Sequence, residues 1–349
     1  MMRTAILLLS LGITACSSVH SESVLTSSLK VNIIDVGAGL CIAVRAPSNN
    51  MTKYLVYDIA TSKCAKSIKK IVGESTIDMV VISHPDADHY RGFSKAFTPA
   101  DEGGFGLTAK SLLETGIVRF NKHKNISPTY QKYTNAKQYI PTVHSLSNAE
   151  TIKKFPIGKQ WNLGEAVVTF IHGHGLVSGQ ADNIDPTSHN RNGASIVLKI
   201  EYGENSILLT GDAVGVEKND TQGKHCIRTE KRIVDTCSAK NSVCGDMDID
   251  VMIAPHHGSH ESLCMDFIEL TDPEYVIFSA GTSHDHPRQI TYDRLMKYDN
   301  KIITFRTDKD EATGNPNEWS DTLGKNQSGD DNIEIIMSKN GKPIIRYTD

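Results

Sequence analysis

The chain has 349 residues, of which 39% are hydrophobic and 22% are charged. This composition is typical of a globular protein and excludes collagen-like, coiled-coil and intrinsically disordered classes. The formal net charge of −4 excludes a strong overall attraction to nucleic acid, and no apolar run approaches the roughly 20 residues that a membrane-spanning helix needs.

The first 16 residues resemble the signal peptide of a bacterial lipoprotein. A basic start at residues 1–3 precedes an apolar stretch, residues 4–13, which is too short to span a membrane. Residues 13–16 resemble a lipobox, which implies cleavage before Cys16, acylation of its thiol and a polar tether over residues 17–28. By this resemblance the lipid anchors the protein, without spanning, to the outer membrane of a Gram-negative bacterium, facing the periplasm or the cell surface. The alternative is an ordinary signal peptide in which Cys16 has no special role.

Export would place the remaining cysteines in an oxidising compartment, where disulfides form and persist. They are even in number, which favours a disulfide framework, although their pairing is not fixed by sequence: Cys41, Cys64, Cys226, Cys237, Cys244 and Cys264. We expect local pairs, Cys41 with Cys64 and two bonds among the other four. The latter would staple an insertion near residues 216–248 of a single domain, residues 29–349. Buried free thiols are the alternative.

The hydrophobic pattern predicts strands in both halves of the chain, with helices between them. Residues 30–36 and 40–44 predict a hairpin joined by a glycine-containing turn. Further strands are predicted at residues 54–57, 79–83, 167–171, 195–200, 207–210, 249–254, 275–279, 302–305, 333–337 and 343–347. Helices are predicted at residues 63–72, 129–139, 262–270 and 288–298, and residues 311–331 have the composition of a surface loop. This alternation predicts an α/β fold with two sheets.

Metal-capable side chains concentrate directly after the predicted strands. His84, Asp86, Asp88 and His89 follow the buried strand at residues 79–83. Imidazole and carboxylate groups together suit ions such as Zn²⁺ and Mn²⁺. Four such groups within one tight turn therefore predict a metal site.

Three further strands end in similar residues. Asp212 follows the strand at 207–210, His256 and His257 follow that at 249–254, and His286 lies beyond that at 275–279. Because all four groups lie where strands end, one sheet edge could bring them together. For His286 the alternative is a structural role in capping the helix at 288–298.

Taken in order, these motifs resemble the metallo-β-lactamase fold, and more closely the metallo-β-lactamase domain of ComEC, the competence DNA-uptake protein. The resemblance covers about residues 30–300. It includes the D-V-G-x-G start at Asp35, a strand ending in Asp58, and Asp86 in place of the second histidine of the first motif. It continues with N-x-x-S at residues 192–195, T-G-D at 210–212, P-H-H-G-S at 255–259 and H-P at 286–287. This resemblance implies an αββα sandwich.

The resemblance also implies a metal centre with one or two Zn or Mn ions. Asp88, His89, Asp212 and His257 would hold the better-formed position, and His84 and Asp86 would hold a second ion with Asp212 bridging. The family's later histidine is not evident in this sequence. The residues that could partly replace it are His189 and Asn192, with His172 and His174 as weaker candidates.

The implied function is metal-dependent hydrolysis, most simply of phosphate esters by a phosphodiesterase or nuclease-like reaction with a metal-bound hydroxide. Asp86 or Asp88 would orient the nucleophile, His256 would face the substrate or brace the site, and His286 would hydrogen-bond a phosphate oxygen or assist the leaving group. A small cell-envelope ester such as a phosphorylcholine head group is the second candidate substrate. A metal-binding envelope protein without turnover is the non-enzymatic alternative.

Partners follow from charge and from the lipid anchor. The first half of the domain is basic, and its lysines could meet the phosphates of a phosphoester or nucleic-acid substrate: Lys63, Lys66, Lys69, Lys70, Lys122, Lys124, Lys132 and Lys137. The alternative is a solvated surface without a partner. The membrane is the other expected partner, through lipidated Cys16.

Overall fold

The computed structural model describes residues 27–49, 51–173, 191–281, 286–307 and 332–348. The signal peptide, almost all of the tether and the loop at 311–331 lie outside the described residues, as do His174 and His189. No helix in the described part of the chain is long and apolar enough to cross a bilayer.

The described residues form two mixed sheets. The first has the order β15-β14-β1-β2-β3-β4-β5-β6 and the second β13-β12-β11-β10-β9-β8-β7. The strands of the first sheet are β1 Leu29–Ile33, β2 Cys41–Ser48, β3 Met51–Ile59, β4 Met79–Ile82, β5 Ser111–Glu114, β6 Thr142–Ser145, β14 Asn332–Met337 and β15 Ile344–Thr348. Those of the second are β7 Gln160–Leu163, β8 Ala166–His172, β9 Val197–Tyr202, β10 Asn205–Leu209, β11 Val251–Ile253, β12 Tyr275–Phe278 and β13 Ile303–Arg306.

Helices connect these strands. They are α1 Ser62–Val72, α2 Ala87–Tyr90, α3 Phe93–Phe97, α4 Pro128–Ala136, α5 Ala149–Lys154, α6 Arg228–Cys237, α7 Met265–Thr271 and α8 Gln289–Tyr298. Short 3₁₀ turns are found at Ala100–Glu102, Lys137–Tyr139 and Pro255–Gly258.

Three hydrophobic cores separate the two sheets from each other and from the helices. Leu55 and Tyr57 of β3 face the core between the sheets, whereas Val56 faces an outer core that α1 covers, as the two-residue period of a strand requires. A third core packs α6, α7 and α8 on the outer face of the second sheet. The predicted αββα sandwich is therefore confirmed, because each sheet buries one face against the other sheet and one against helices.

The missed elements are mostly those without a hydrophobic signal. β6 and β7 each form one edge of their sheet, and their side chains are largely exposed or half-buried. An edge strand needs fewer apolar residues, so their sequences did not indicate strands. Helix α6 is polar apart from a narrow buried face that includes Ile233 and Cys237.

The disulfides pair locally, as predicted. Cys41 bonds Cys64, which ties β2 to α1. Cys226 bonds Cys264 and Cys237 bonds Cys244, so the other four cysteines form two bonds around α6.

We expect the double change Cys41→Ala, Cys64→Ala to lower the free energy of unfolding by about 2–4 kcal/mol, because the bond closes a loop with a sequence separation of 23. Urea denaturation would measure this loss. The matched pair is Cys237→Ala, Cys244→Ala, whose sequence separation is 7 and whose loss should be smaller. A larger loss from the shorter loop would contradict this explanation.

Candidate metal centre

The carboxyl ends of several strands meet at one edge of the sandwich. β3 and β4 are parallel neighbours in the first sheet, and β10, β11 and β12 are parallel neighbours in the second. Asp58 is the penultimate residue of β3, and residues 84–89 follow β4. Asp212 follows β10, and His256 and His257 follow β11. The fold therefore collects the predicted side chains from both sheets.

The approach of the two sheets at this edge depends on Gly211. Its φ is +54°, which favours glycine. A Cβ at this position would lie 2.8 Å from Cβ of Ser83 and 3.0 Å from Oη of Tyr57. A side chain here would push Asp212 away from the turn after β4.

Three side-chain atoms converge at the centre of the cluster. Nε2 of His89 lies 3.1 Å from Oδ1 of Asp212 and 3.3 Å from Nε2 of His257. Nε2 of His257 lies 3.4 Å from the same Asp212 oxygen and 3.8 Å from Oδ2 of Asp88. Nε2 of His84 lies 3.6 Å from Oδ2 of Asp212. Two overlapping groups have metal-ligand spacing, His84 with His89 and Asp212, and Asp88 with His89 and His257.

Both central imidazoles are oriented from behind. Nδ1 of His89 donates to Oδ2 of Asp58 at 2.7 Å, and Nδ1 of His257 donates to the carbonyl oxygen of Ser279 at 2.6 Å. A carboxylate and a carbonyl only accept, so each ring carries a proton on Nδ1 and directs its Nε2 atom toward the other ring. The two Nε2 atoms are 3.3 Å apart, close enough to share one metal ion or one proton.

Asp212 supplies the negative charge of this cluster. Its backbone N–H donates to Oγ of Ser195 at 3.0 Å, which fixes the turn after β10. Its Oδ1 is buried and makes no hydrogen bond with any described residue. An unpaired buried carboxylate oxygen is costly, and coordination of a metal ion removes that cost.

The carboxylates and imidazoles of the cluster shift one another's pKa values strongly. Burial lowers the pKa of His89, but the carboxylates of Asp212 and Asp58 outweigh burial and hold it well above its ordinary value. Burial raises the pKa of Asp212, but the imidazoles around it, led by His89 and His257, hold it well below its ordinary value. Burial and the neighbouring His89 lower the pKa of His84 to about 4. Two imidazole nitrogens and a carboxylate therefore fit a divalent metal ion, and Zn²⁺ and Mn²⁺ both accept these donors.

His256 and His286 lie on one side of this cluster. Nε2 of His256 contacts Nδ2 of Asn192 at 3.1 Å and lies 3.7 Å from Oδ2 of Asp212. The ring of His286 stacks on that of His257 with 6.5 Å between centroids and 19° between planes. Burial lowers the pKa of His256, and burial with His257 and His256 lowers that of His286 to about 3. Both rings are therefore neutral at neutral pH.

His286 does not cap helix α8, which was the alternative role considered for it. The N-cap residue of α8 is Arg288 and not His286, and the Arg288 side chain makes no capping hydrogen bond. His172, a weaker candidate for the missing family histidine, donates from Nδ1 to the carbonyl oxygen of Ser195 at 3.0 Å. Among the described residues it belongs to neither metal-capable group.

Asp86 is arranged differently from the other predicted ligands. Its Oδ1 accepts from Nε of Arg191 at 2.5 Å and from Nη1 of Arg119, and its Oδ2 lies 3.5 Å from Nη2 of Arg191. In the described part of the chain it is in neither group with metal-ligand spacing. The sequence did not mark either arginine as a functional residue. Arg119 lies in a region without motifs, and the only sequence signal at Arg191 is that it precedes Asn192.

Relatives among curated proteins are competence proteins. The chain is 23% identical over 297 residues to "Competence protein ComA" of Neisseria gonorrhoeae. The aligned region covers 83% of this chain and 33% of that protein. It is 31% identical over 127 residues to "ComE operon protein 3" of Bacillus subtilis, and this aligned region covers 36% of this chain and 13% of that protein. The chain thus spans about a third or less of the length of these relatives. No protein-family model matches it.

Solved structures show a weaker likeness. Tm1679, described as a metal-dependent hydrolase of the β-lactamase superfamily, is 12% identical with a TM-score of 0.42 and covers 80% of this chain and 95% of its own. The two-sheet topology, the motif order and the competence relatives agree with the resemblance stated from sequence. The chain therefore has the predicted metallo-β-lactamase fold and is similar in sequence to these two competence-related proteins.

Proposed function

We propose that this protein is a metal-dependent hydrolase of phosphate esters, with His89, His257, Asp212 and Asp88 as ligands of the ion. The observation that carries the proposal is the convergence of two oriented Nε2 atoms on the buried Oδ1 of Asp212, at metal-ligand spacing. A purely structural cluster would satisfy these atoms with hydrogen bonds, as buried polar groups ordinarily are.

Each residue has a defined part in this proposal. A divalent ion, when bound, supplies Lewis acidity that activates water at neutral pH and neutralises charge on phosphate oxygens. Asp58 and the Ser279 carbonyl hold the two ligand rings in the correct tautomer. His256 and His286, both neutral, offer hydrogen bonds to a bound ester. Asp88, whose side chain is 32% exposed, is the cluster carboxylate that a water molecule reaches most easily.

A phosphate ester is favoured over other esters by charge beside the metal position. Arg119 and Arg191 contact Asp86, which lies two residues after His84, and Lys122 and Lys124 are exposed close to Arg119 in sequence. The relation to competence proteins agrees with a phosphodiester substrate. Several other lysines of the basic half are neutralised locally, for example Lys63 by Asp35 and Lys137 by Glu114.

We place the protein in the bacterial envelope, attached through lipidated Cys16. This location makes a head group of the phosphorylcholine class the second candidate substrate. Both candidates are phosphodiesters, so the same metal chemistry serves each, and substrate assays separate them.

The test is metal content with substrate hydrolysis on the purified protein. Elemental mass spectrometry would count bound Zn, Mn and Fe. Hydrolysis of bis(p-nitrophenyl) phosphate, p-nitrophenyl phosphorylcholine and the β-lactam nitrocefin would then be followed with each ion. We expect bound metal and cleavage of at least one phosphodiester. Cleavage of nitrocefin alone, or metal binding without any turnover, would overturn the proposed substrate class.

A further inference from the structure

The arginine pair at Asp86 stands where the resemblance expects part of a second metal position. That position would need the carboxylate of Asp86, but Oδ1 of Asp86 accepts from two guanidinium groups. The family's third ligand for such an ion is not evident in the sequence. His84, the other expected ligand, is buried with Nδ1 3.1 Å from Oγ of Ser83 and Nε2 facing Asp212.

Among the described residues, the charge of this group is positive without a second ion, because two arginines oppose one carboxylate. All three side chains are at least partly buried, with 6% exposure for Arg191, 15% for Asp86 and 28% for Arg119. A guanidinium group never loses its proton in proteins, so this charge is permanent. Arg119 uses Nη1 for Asp86, and the exposure of its side chain leaves the guanidinium accessible to a ligand.

The pair is joined to the metal cluster through the backbone. Arg191 is followed by Asn192, whose Nδ2 lies 3.1 Å from Nε2 of His256, and that atom lies 3.7 Å from Oδ2 of Asp212. On the other side, Asp86 is two residues from His84 and two from Asp88. An anion bound to the arginines would therefore lie beside the ligands of the ion.

We propose that Arg119 and Arg191, held by Asp86, form a phosphate subsite beside a single metal position, and that they replace a second ion in binding the phosphate group. The planar fork of an arginine matches two oxygens of a phosphate group, and guanidinium clamps stabilise charge on such groups as metal ions do. Asp86 is then a positioning residue for the arginines and not a metal ligand. The phosphate part of this inference rests on the proposed function.

The first test is the number of ions per chain. Protein saturated with Zn²⁺ or Mn²⁺ and then freed of excess metal by gel filtration is expected to retain one ion per chain by elemental mass spectrometry. Retention of two ions per chain would overturn the inference, because the inference allows a single metal position.

The second test is binding of inorganic phosphate to the metal-loaded protein by calorimetry. Arg119→Met should weaken binding about 10- to 100-fold, since a hydrogen bond to a charged group contributes about 1.5–3 kcal/mol. Arg119→Lys keeps the charge but loses the planar fork of the guanidinium group. Its phosphate affinity should lie between that of the unaltered protein and that of Arg119→Met. The matched control is Lys110→Met, which removes a cation paired with Asp78 at the opposite end of β4 and should bind phosphate as the unaltered protein does.

These readouts separate the inference from the proposed function. Unchanged phosphate affinity in Arg119→Met, with an unchanged thermal unfolding midpoint, would overturn the subsite even if phosphodiesters are hydrolysed. One ion per chain and weakened phosphate binding would support the subsite even if no phosphodiester is hydrolysed, in which case the proposed reaction fails alone.

Discussion

Replacing Asp212 by asparagine is expected to remove the metal ion and to reduce hydrolysis of bis(p-nitrophenyl) phosphate by at least about 100-fold. Oδ1 and Oδ2 of Asp212 face His89, His257 and His84, so this carboxylate lies next to all three candidate histidine ligands. Asparagine has the same shape but carries no charge and only one acceptor oxygen. Loss of even a residue that only orients a ligand typically costs 10- to 100-fold in metal affinity, and a direct ligand costs more.

Elemental mass spectrometry and initial rates would measure both effects. The matched control is Asp235→Asn, which removes a carboxylate from the exposed face of α6, where it pairs with Lys231. It should leave metal content and rate unchanged. An Asp212→Asn protein that retains its ion would contradict the arrangement of the metal centre, whatever its activity.

The position of the cluster could be predicted from sequence because strand ends carry a strong signal. Each of β4, β10 and β11 is a short apolar run, and each leads directly into His84, Asp212 or His257. The end of each apolar run marks where the strand stops, and so indicates which polar side chain lies at the edge of the sheet.

The surroundings of the ligands could not be predicted in the same way. Arg191 and Asp86 are far apart in sequence yet form an ion pair, and Arg119 comes from a region without a readable motif. Such pairs depend on how the loops of two sheets meet, which no local pattern encodes. The polar edge strands β6 and β7 were missed for a related reason, since their pairing with a neighbour compensates for their weak hydrophobic signal.

Asp58 shows what the sequence motif alone does not reveal. The strand-ending aspartate was noted by resemblance without a role, and the structure gives it one. Its carboxylate is fully buried and accepts from the backbone N–H and Oγ of Ser83, each at 2.7 Å, and from Nδ1 of His89. It therefore links β3 to the turn after β4 and orients one ligand ring.

We expect Asp58→Asn to weaken metal binding about 10- to 100-fold while the protein remains folded. A carboxylate behind a ligand histidine fixes the ring and increases the basicity of the nitrogen that faces the ion. Asparagine can still accept from Ser83, but its amide orients the His89 ring more weakly and contributes no charge. Metal affinity would be measured by competition with a chromophoric chelator at fixed pH.

Two further variants separate orientation of the ligand from loss of stability. Ser83→Ala removes one hydrogen bond to Asp58 but leaves its charge, so its effect on metal affinity should be smaller than that of Asp58→Asn. Asp78→Asn is the matched structural control, since Asp78 accepts from the backbone N–H of Tyr54 at the opposite end of β3 and β4 and is remote from the cluster. It should change the urea midpoint without changing metal affinity. If Asp58→Asn changes only the urea midpoint, as Asp78→Asn does, then Asp58 stabilises the sheet and has no part in orienting His89.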